Sequence, residues 1–145
     1  MQLNLKTVSA IELSGSVIMY GHISVIAERT NDQVEVTKTS GADGYAPDSE
    51  SHMVPPLSMD KILDELSDLD LPVVQEDDQS KDYIVESDLD LDAVTQWMLI
   101  LSFEDETETS ITGYDPSGDV YNSLITILSR HIPEFGDVKS FFENV

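Results

Sequence analysis

The chain has 145 residues, of which 40% are hydrophobic, and it contains no cysteine. Twenty-nine acidic residues against seven basic ones give a formal net charge of −22 at pH 7. This composition is typical of a soluble globular protein, and it excludes disulfides and thiolate metal sites. No apolar run approaches the roughly 18 residues that a membrane span needs, and the amino terminus shows no secretory signal. We therefore expect one domain over residues 1–145 in the cytoplasm, although a mature exported protein would look the same.

The first half of the chain reads as strands followed by a loop and a helix. Residues 17–27 predict a strand with Gly21 inside it as a bulge or a close backbone approach, and residues 34–38 return antiparallel after a turn. A short earlier strand is expected from the apolar residues before Gly15. Residues 40–57 contain several Gly, Pro and small polar residues, which predicts a long flexible loop.

A helix is expected after this loop. Ser58 is its predicted cap, and Ile62, Leu63 and Leu66 recur on one side at helical spacing. Further along, residues 83–85 favour a short strand.

Residues 95–133 form a complete strand–turn–strand–helix unit in the sequence. Trp97, Leu99 and Leu101 alternate with period two, and Trp97 is expected in the core. A β-branched run over residues 107–112 predicts the second strand. Ser117 or Asp119 is expected to cap the helix that follows, and a last helix is expected to pack near the carboxyl terminus.

The order of these elements predicts an α+β fold. Strand, turn, strand, loop and helix occur once in residues 17–70 and again in residues 95–132, which suggests two strand–strand–helix units. We expect a single two-layer domain, with an antiparallel sheet and helices packed on one face. A sheet with helices on opposite faces is the alternative.

Catalytic and metal-binding patterns are absent from the sequence. His22, His52 and His131 lie on different predicted elements and show no ligand spacing, and no nucleophile or nucleotide-binding motif occurs. The spacing of Asp88, Asp90 and Asp92 resembles the start of a calcium loop, but the later glycine and glutamate are missing, so an edge strand is the plainer interpretation. We therefore predict no enzymatic activity, no cofactor and no metal site.

Acidic residues are concentrated in the middle of the chain. Between Asp43 and Glu108 there are twenty acidic residues, opposed only by Lys61 and Lys81. A field of one sign repels nucleic acid and anionic membrane and attracts basic proteins. The predicted partner-binding residues come from one helix, two loops, a strand and a turn within this region: Asp64, Glu65, Asp68, Asp70, Glu76, Asp77, Asp78, Asp88, Asp90, Asp92, Glu104 and Asp105.

A family resemblance covers residues 92–132. The motif W-x-L-x-L-x-F from Trp97 to Phe103, an acidic turn, and I-x-G-x-x-P from Ile111 to Pro116 precede a capped amphipathic helix. This pattern resembles small acidic bacterial α+β proteins of the immunity type, which neutralise toxins. The resemblance implies a non-enzymatic protein that binds and occludes a cognate toxin, and it assigns no individual residue.

These observations lead to a functional hypothesis. The chain is expected to inhibit a basic protein, such as a toxin, a nuclease or another nucleic-acid-binding protein, by electrostatic and steric occlusion. Two alternatives stay open at this point. One is a phage-encoded nucleic-acid mimic that acts against a host defence enzyme, and the other is an acidic structural or assembly protein whose charge serves solubility.

Overall fold

The computed structural model describes residues 7–42, 46–69, 73–77, 82–85, 95–114, 116 and 118–144. Within these ranges the chain forms eight strands and three helices. The strands are β1 (Val8–Val17), β2 (Gly21–Thr30), β3 (Gln33–Ala42), β4 (Asp48–Val54), β5 (Val73–Asp77), β6 (Asp82–Val85), β7 (Thr95–Phe103) and β8 (Glu108–Gly113). The helices are α1 (Pro56–Ser67), α2 (Asp119–His131) and α3 (Gly136–Glu143), with a 3₁₀ turn (Pro133–Phe135) between α2 and α3.

All the strands belong to one sheet, in the order β4-β3-β2-β1-β7-β8-β6-β5. Strands β1 to β4 form a meander at one side, and β7 attaches to β1 in antiparallel register, with Leu13 opposite Leu99. Every neighbouring pair is antiparallel except β6 and β8, which run parallel. The sheet is therefore a mixed sheet that is antiparallel over most of its width.

The helices lie on one face of this sheet. Helix α1 packs against β3 and α2, while α3 packs against β1, β2 and α2. The strand residues that face the helices are almost all apolar and buried, as the period-two alternation predicts: Ile11, Leu13, Ile23, Val25, Ala27, Val34, Val36, Trp97, Leu99, Leu101 and Ile111. The predicted two-layer α+β architecture is confirmed, with the helices on one face and the other face, here called the open face, uncovered by any described helix.

Trp97 lies in this core, as predicted, and is fully buried. Its ring packs on the backbone of Gly113, the residue opposite it on β8. A Cβ atom at Gly113 would lie 2.4 Å from the indole ring, which is closer than atoms can approach. Glycine is therefore required here because the tryptophan occupies the space of a side chain.

Two predictions about the first half of the chain are wrong. Residues 17–27 are not one strand, because β1 extends through Gly15 to Val17 and β2 begins at Gly21 after a turn. Gly21 is a close-approach position, since a Cβ atom there would lie 2.3 Å from the Gly41 carbonyl oxygen. Residues 40–57 are not a long loop either: they include the end of β3, the edge strand β4 and the start of α1.

The predicted helix caps are also corrected where they are described. Helix α1 begins at Pro56, two residues before Ser58, and no side chain caps it. Proline suits the first position of a helix because the missing N–H would have no helical acceptor there. Asp119 is the first residue of α2 and Gly118 occupies the cap position, while Ser117 lies outside the described residues. The predicted strands at 83–85, 95–103 and 107–112 are confirmed to within a residue or so by β6, β7 and β8.

A pair of glycine substitutions tests the packing of Trp97. Gly113→Ala should lower the free energy of unfolding by about 1–3 kcal/mol because the indole must move to admit the methyl group. Gly136→Ala is the control, because its added Cβ would meet only Ser129 at 3.5 Å and its backbone is right-handed helical. The control should be neutral or stabilising by about 0.4–1 kcal/mol. Urea unfolding at pH 7 measures both, and equal effects would contradict the assigned packing.

Candidate functional site

The predicted partner-binding residues of α1 do not all point to solvent. Asp64 and Asp68 are exposed, but Glu65 is half-buried against α2. The Arg130 guanidinium and the His131 imidazole both contact the Glu65 carboxylate. The hydrogen bond with His131, aided by the charge of Arg130, lowers the pKa of Glu65 below its ordinary value. Glu65 therefore links two helices, whereas its two acidic neighbours are accessible.

The other predicted site residues are placed on separate elements. Glu104 and Asp105 are exposed in the turn between β7 and β8. Asp105 Oδ1 accepts hydrogen bonds from the Thr107 amide at 3.0 Å and the Thr107 hydroxyl at 2.6 Å, which fixes this turn. Glu76 and Asp77 belong to β5. The remaining predicted residues lie outside the described ranges: Asp70, Asp78, Asp88, Asp90 and Asp92.

A different acidic group lies on the open face. Glu12, Glu28, Glu35 and Glu108 come from β1, β2, β3 and β8, and each adjoins a buried residue in its strand, so its side chain faces away from the helices. We call these four residues the open-face glutamates. The register places Glu28 directly opposite Glu35, Ala10 beside Glu28, and Ser102 between Ala10 and Glu108. With neighbouring strands about 4.8 Å apart, the four carboxylates lie within one continuous patch.

The pairing of Glu28 with Glu35 is unfavourable for folding. Like charges directly opposite each other on antiparallel strands repel and destabilise the sheet. No Lys or Arg of the described strands faces the patch to offset this repulsion. Arg29 is paired with Asp60 of α1 at 2.5 Å, and Lys38 with Asp137 of α3 at 3.0 Å, so both cations are turned to the helix side.

Glu12 occupies the middle of the open face. Its cross-strand neighbours are Ile26 on β2 and Ile100 on β7, both half-buried. Burial between these side chains raises the pKa of Glu12 above its ordinary value, and the negative charge of Glu108 raises it further. The centre of the patch therefore combines an incompletely hydrated carboxylate with apolar surface.

The acidic surface continues around one end of the sheet. The turn between β2 and β3 carries Asp32, and the turn between β7 and β8 carries Glu104, Asp105 and Glu106. Both turns are at the same end, because Glu104 follows directly after Phe103, which pairs with Val8 at the start of β1. The exposed acids of these turns extend the field of the open-face glutamates.

Sequence reasoning missed the open-face glutamates for an identifiable reason. Local density of acids was the criterion; Glu12, Glu28 and Glu35 have no acidic neighbour within two positions in the sequence, and Glu108 marked only the end of the acidic region. The alternation of side chains along each strand could have identified them. Each occupies the strand position that alternates with core residues, as Glu12 does between Ile11 and Leu13.

The described part of the chain does not support a metal site or a membrane-spanning helix. No group of three or more His, Asp or Glu side chains is arranged to hold a metal ion there. His131 contacts Glu65, and His52 lies 3.3 Å from Glu134, so each of these two histidines lies beside a carboxylate of the chain itself. No helix among the described residues has the length and apolar character needed to cross a membrane.

Comparison with known proteins adds no assignment. No protein-family model matches the chain. A search of curated proteins also finds no match.

The raised pKa of Glu12 yields a prediction about pH. Ionised Glu12 opposes folding once the pH exceeds its ordinary pKa of 4.5. Glu12→Gln should therefore raise the melting temperature by a few degrees at pH 7, and this gain should disappear as the pH falls below that value. Thermal unfolding at several pH values measures the difference. Glu104→Gln, in an exposed turn, is the control and should change less; a Glu12→Gln protein that is less stable than wild type at pH 7 would contradict the assignment.

Proposed function

We propose that this chain is a non-enzymatic inhibitor of the immunity type that binds a basic protein and blocks its functional surface. The observation that supports this function best is the open face, where four strands contribute glutamates and no described Lys or Arg balances them. A like-charge pair in the sheet lowers stability, and a cationic partner would remove that penalty on binding.

The physical chemistry of the face suits such a partner. A patch of one sign attracts an oppositely charged protein over long distances and raises the association rate. On contact, Lys and Arg side chains of the partner would form charge-assisted hydrogen bonds with the open-face glutamates. Nucleic acid and anionic membranes are repelled by a chain of net charge −22, so a protein is the fitting partner class.

The apolar side chains at the centre of the open face would add to the affinity that the charges provide. Ile26, Met98 and Ile100 are half-buried on the open face: Ile26 and Ile100 flank Glu12 in its own cross-strand row, and Met98 lies opposite Ser14 in the next row. Protein interfaces commonly have such an arrangement, with apolar side chains in the middle and polar groups at the rim. Covering this centre would dehydrate Glu12 further, so the partner must present a cation there.

Two charge-matched variants test the proposed surface. The open-face variant carries Glu28→Gln, Glu35→Gln and Glu108→Gln, and the helix variant carries Asp64→Asn, Asp68→Asn and Glu143→Gln. Both lose three negative charges, and all six substitutions preserve side-chain shape. Glu65 is left unchanged because it links α1 to α2.

The partner is first isolated by affinity capture from the natural source with wild-type protein, and association is then measured with the purified partner. The open-face variant should associate about tenfold more slowly than wild type at about 50 mM salt, and the difference should shrink as salt increases. The helix variant should show only a small general charge effect. Equal slowing by both variants, or a captured partner that is not basic, would contradict the proposal.

A further inference from the structure

The turn between β1 and β2 exposes three large hydrophobic residues in succession. Ile18, Met19 and Tyr20 are 66%, 86% and 45% exposed, and we call them the apolar tip. Hairpin turns normally contain Gly, Asn or Asp, since these residues fit the backbone and interact with water. This turn has none of them, so its composition is unfavourable both for hydration and for local structure.

The backbone of the tip is also strained. The Tyr20 amide donates a hydrogen bond to the Val17 carbonyl at 3.0 Å, which closes the turn and places Met19 at φ 66°. A long side chain rarely adopts this left-handed conformation, which glycine adopts readily. Strain and exposed apolar surface at the same residue are typical of positions selected for binding.

A chain of aromatic contacts supports the tip from the core. Trp97 contacts Tyr121 at 5.7 Å between ring centroids, Tyr121 contacts Phe142 at 5.9 Å, Phe142 contacts Phe141 at 5.4 Å, and Phe141 contacts Tyr20 at 5.8 Å. The Tyr20 hydroxyl additionally donates to the Asn144 carbonyl at 3.3 Å. The Tyr20 side chain is therefore held in place, and ordering it on binding would cost little conformational entropy.

A concave pocket of about 640 Å³ adjoins the tip. Tyr20 and Phe141 contribute aromatic rings to its lining, Asp48 contributes a carboxylate, and His22 and Gly41 also line it. No Lys or Arg from the described part of the chain lines this pocket. Aromatic faces together with a carboxylate are the environment that binds a guanidinium group, by stacking and by charge-assisted hydrogen bonds.

We propose that the apolar tip and this pocket form a second docking surface, which binds a protein segment carrying an arginine between apolar side chains. The arginine enters the pocket and the neighbouring apolar side chains pack on Ile18 and Met19. Charge complementarity favours this occupant over an anionic phospholipid surface or a second copy of the chain, because both of these meet the repulsion of 22 net negative charges. The surface is separate from the open-face glutamates, so either proposal can fail without the other.

The probe is the peptide acetyl-Leu-Arg-Leu-amide, titrated into the isotopically labelled full chain and followed by NMR. Shifts should centre on Tyr20, His22, Gly41 and Phe141. The matching citrulline peptide, which has the same shape without the charge, should bind about fivefold or more weakly. Shifts centred on the open-face glutamates, or equal binding of the two peptides, would overturn the proposal.

Met19→Gly separates binding from folding. Glycine relieves the strain at φ 66°, so this variant should keep or raise its melting temperature while its affinity for the arginine peptide falls about threefold or more. Asn31→Gly is the matched control, because Asn31 also has a positive φ of 56° but lies in the turn at the other end of β2. The control should bind the peptide as wild type does; an unchanged affinity for Met19→Gly would overturn the role of the tip.

Asp48→Asn tests the carboxylate of the pocket. This variant should bind the arginine peptide about threefold more weakly and the citrulline peptide as wild type does. Asp32→Asn should change neither affinity. Two further measurements address other occupants. Sedimentation with neutral or anionic vesicles that depends on Met19, or a dimer that Met19→Gly dissociates, would overturn the proposal in favour of a membrane or a second copy.

Discussion

The pairing of β1 with β7 holds the two parts of the sheet together. It joins the meander β1–β4 to the strands β7, β8, β6 and β5, across more than eighty residues of sequence, and it places Leu13 beside Leu99 and Gly15 beside Trp97. The register also decides which side chains share a face, since a shift by one residue would exchange the core face with the open face. The open-face glutamates are brought together by this register and by the β1–β2, β2–β3 and β7–β8 pairings, and the apolar tip lies in the turn that joins β1 to β2.

The sequence predicted those elements whose signal is local. Alternation in residues 95–103 and the amphipathic pattern in residues 119–131 were sufficient, and β7 and α2 are found there. It failed where tertiary structure overrides local preference. Ile18, Met19 and Tyr20 have strand propensity but form a turn, and residues 48–54 lack it but form an edge strand because β3 provides hydrogen-bonding partners. Edge strands tolerate small and charged residues because only one side is paired.

The candidate site, like the fold, could be predicted from the sequence only in part. The excess of negative charge was evident from composition, but counting acids along the chain could not locate the open-face glutamates. Glu65 belongs to α1, the described helix with the most acidic residues, and yet it contacts Arg130 and His131, which charge density does not reveal. Glu28 and Glu35 stand apart in sequence and meet only through the β2–β3 register. Which carboxylates act together is therefore a property of strand pairing.

The distribution of unfavourable features connects structure with function. The core is conventional: its apolar side chains are buried, and the cations Arg29 and Lys38 are paired across the layers. Two unfavourable features lie at the surface: like-charge repulsion between Glu28 and Glu35, and a strained, exposed Met19. These two positions lie towards opposite ends of β2, a strand of ten residues that extends about 30 Å. In the proposed function, a basic partner would be held electrostatically on the open face while the tip binds a separate arginine-containing segment, and binding would offset the unfavourable interactions at each surface.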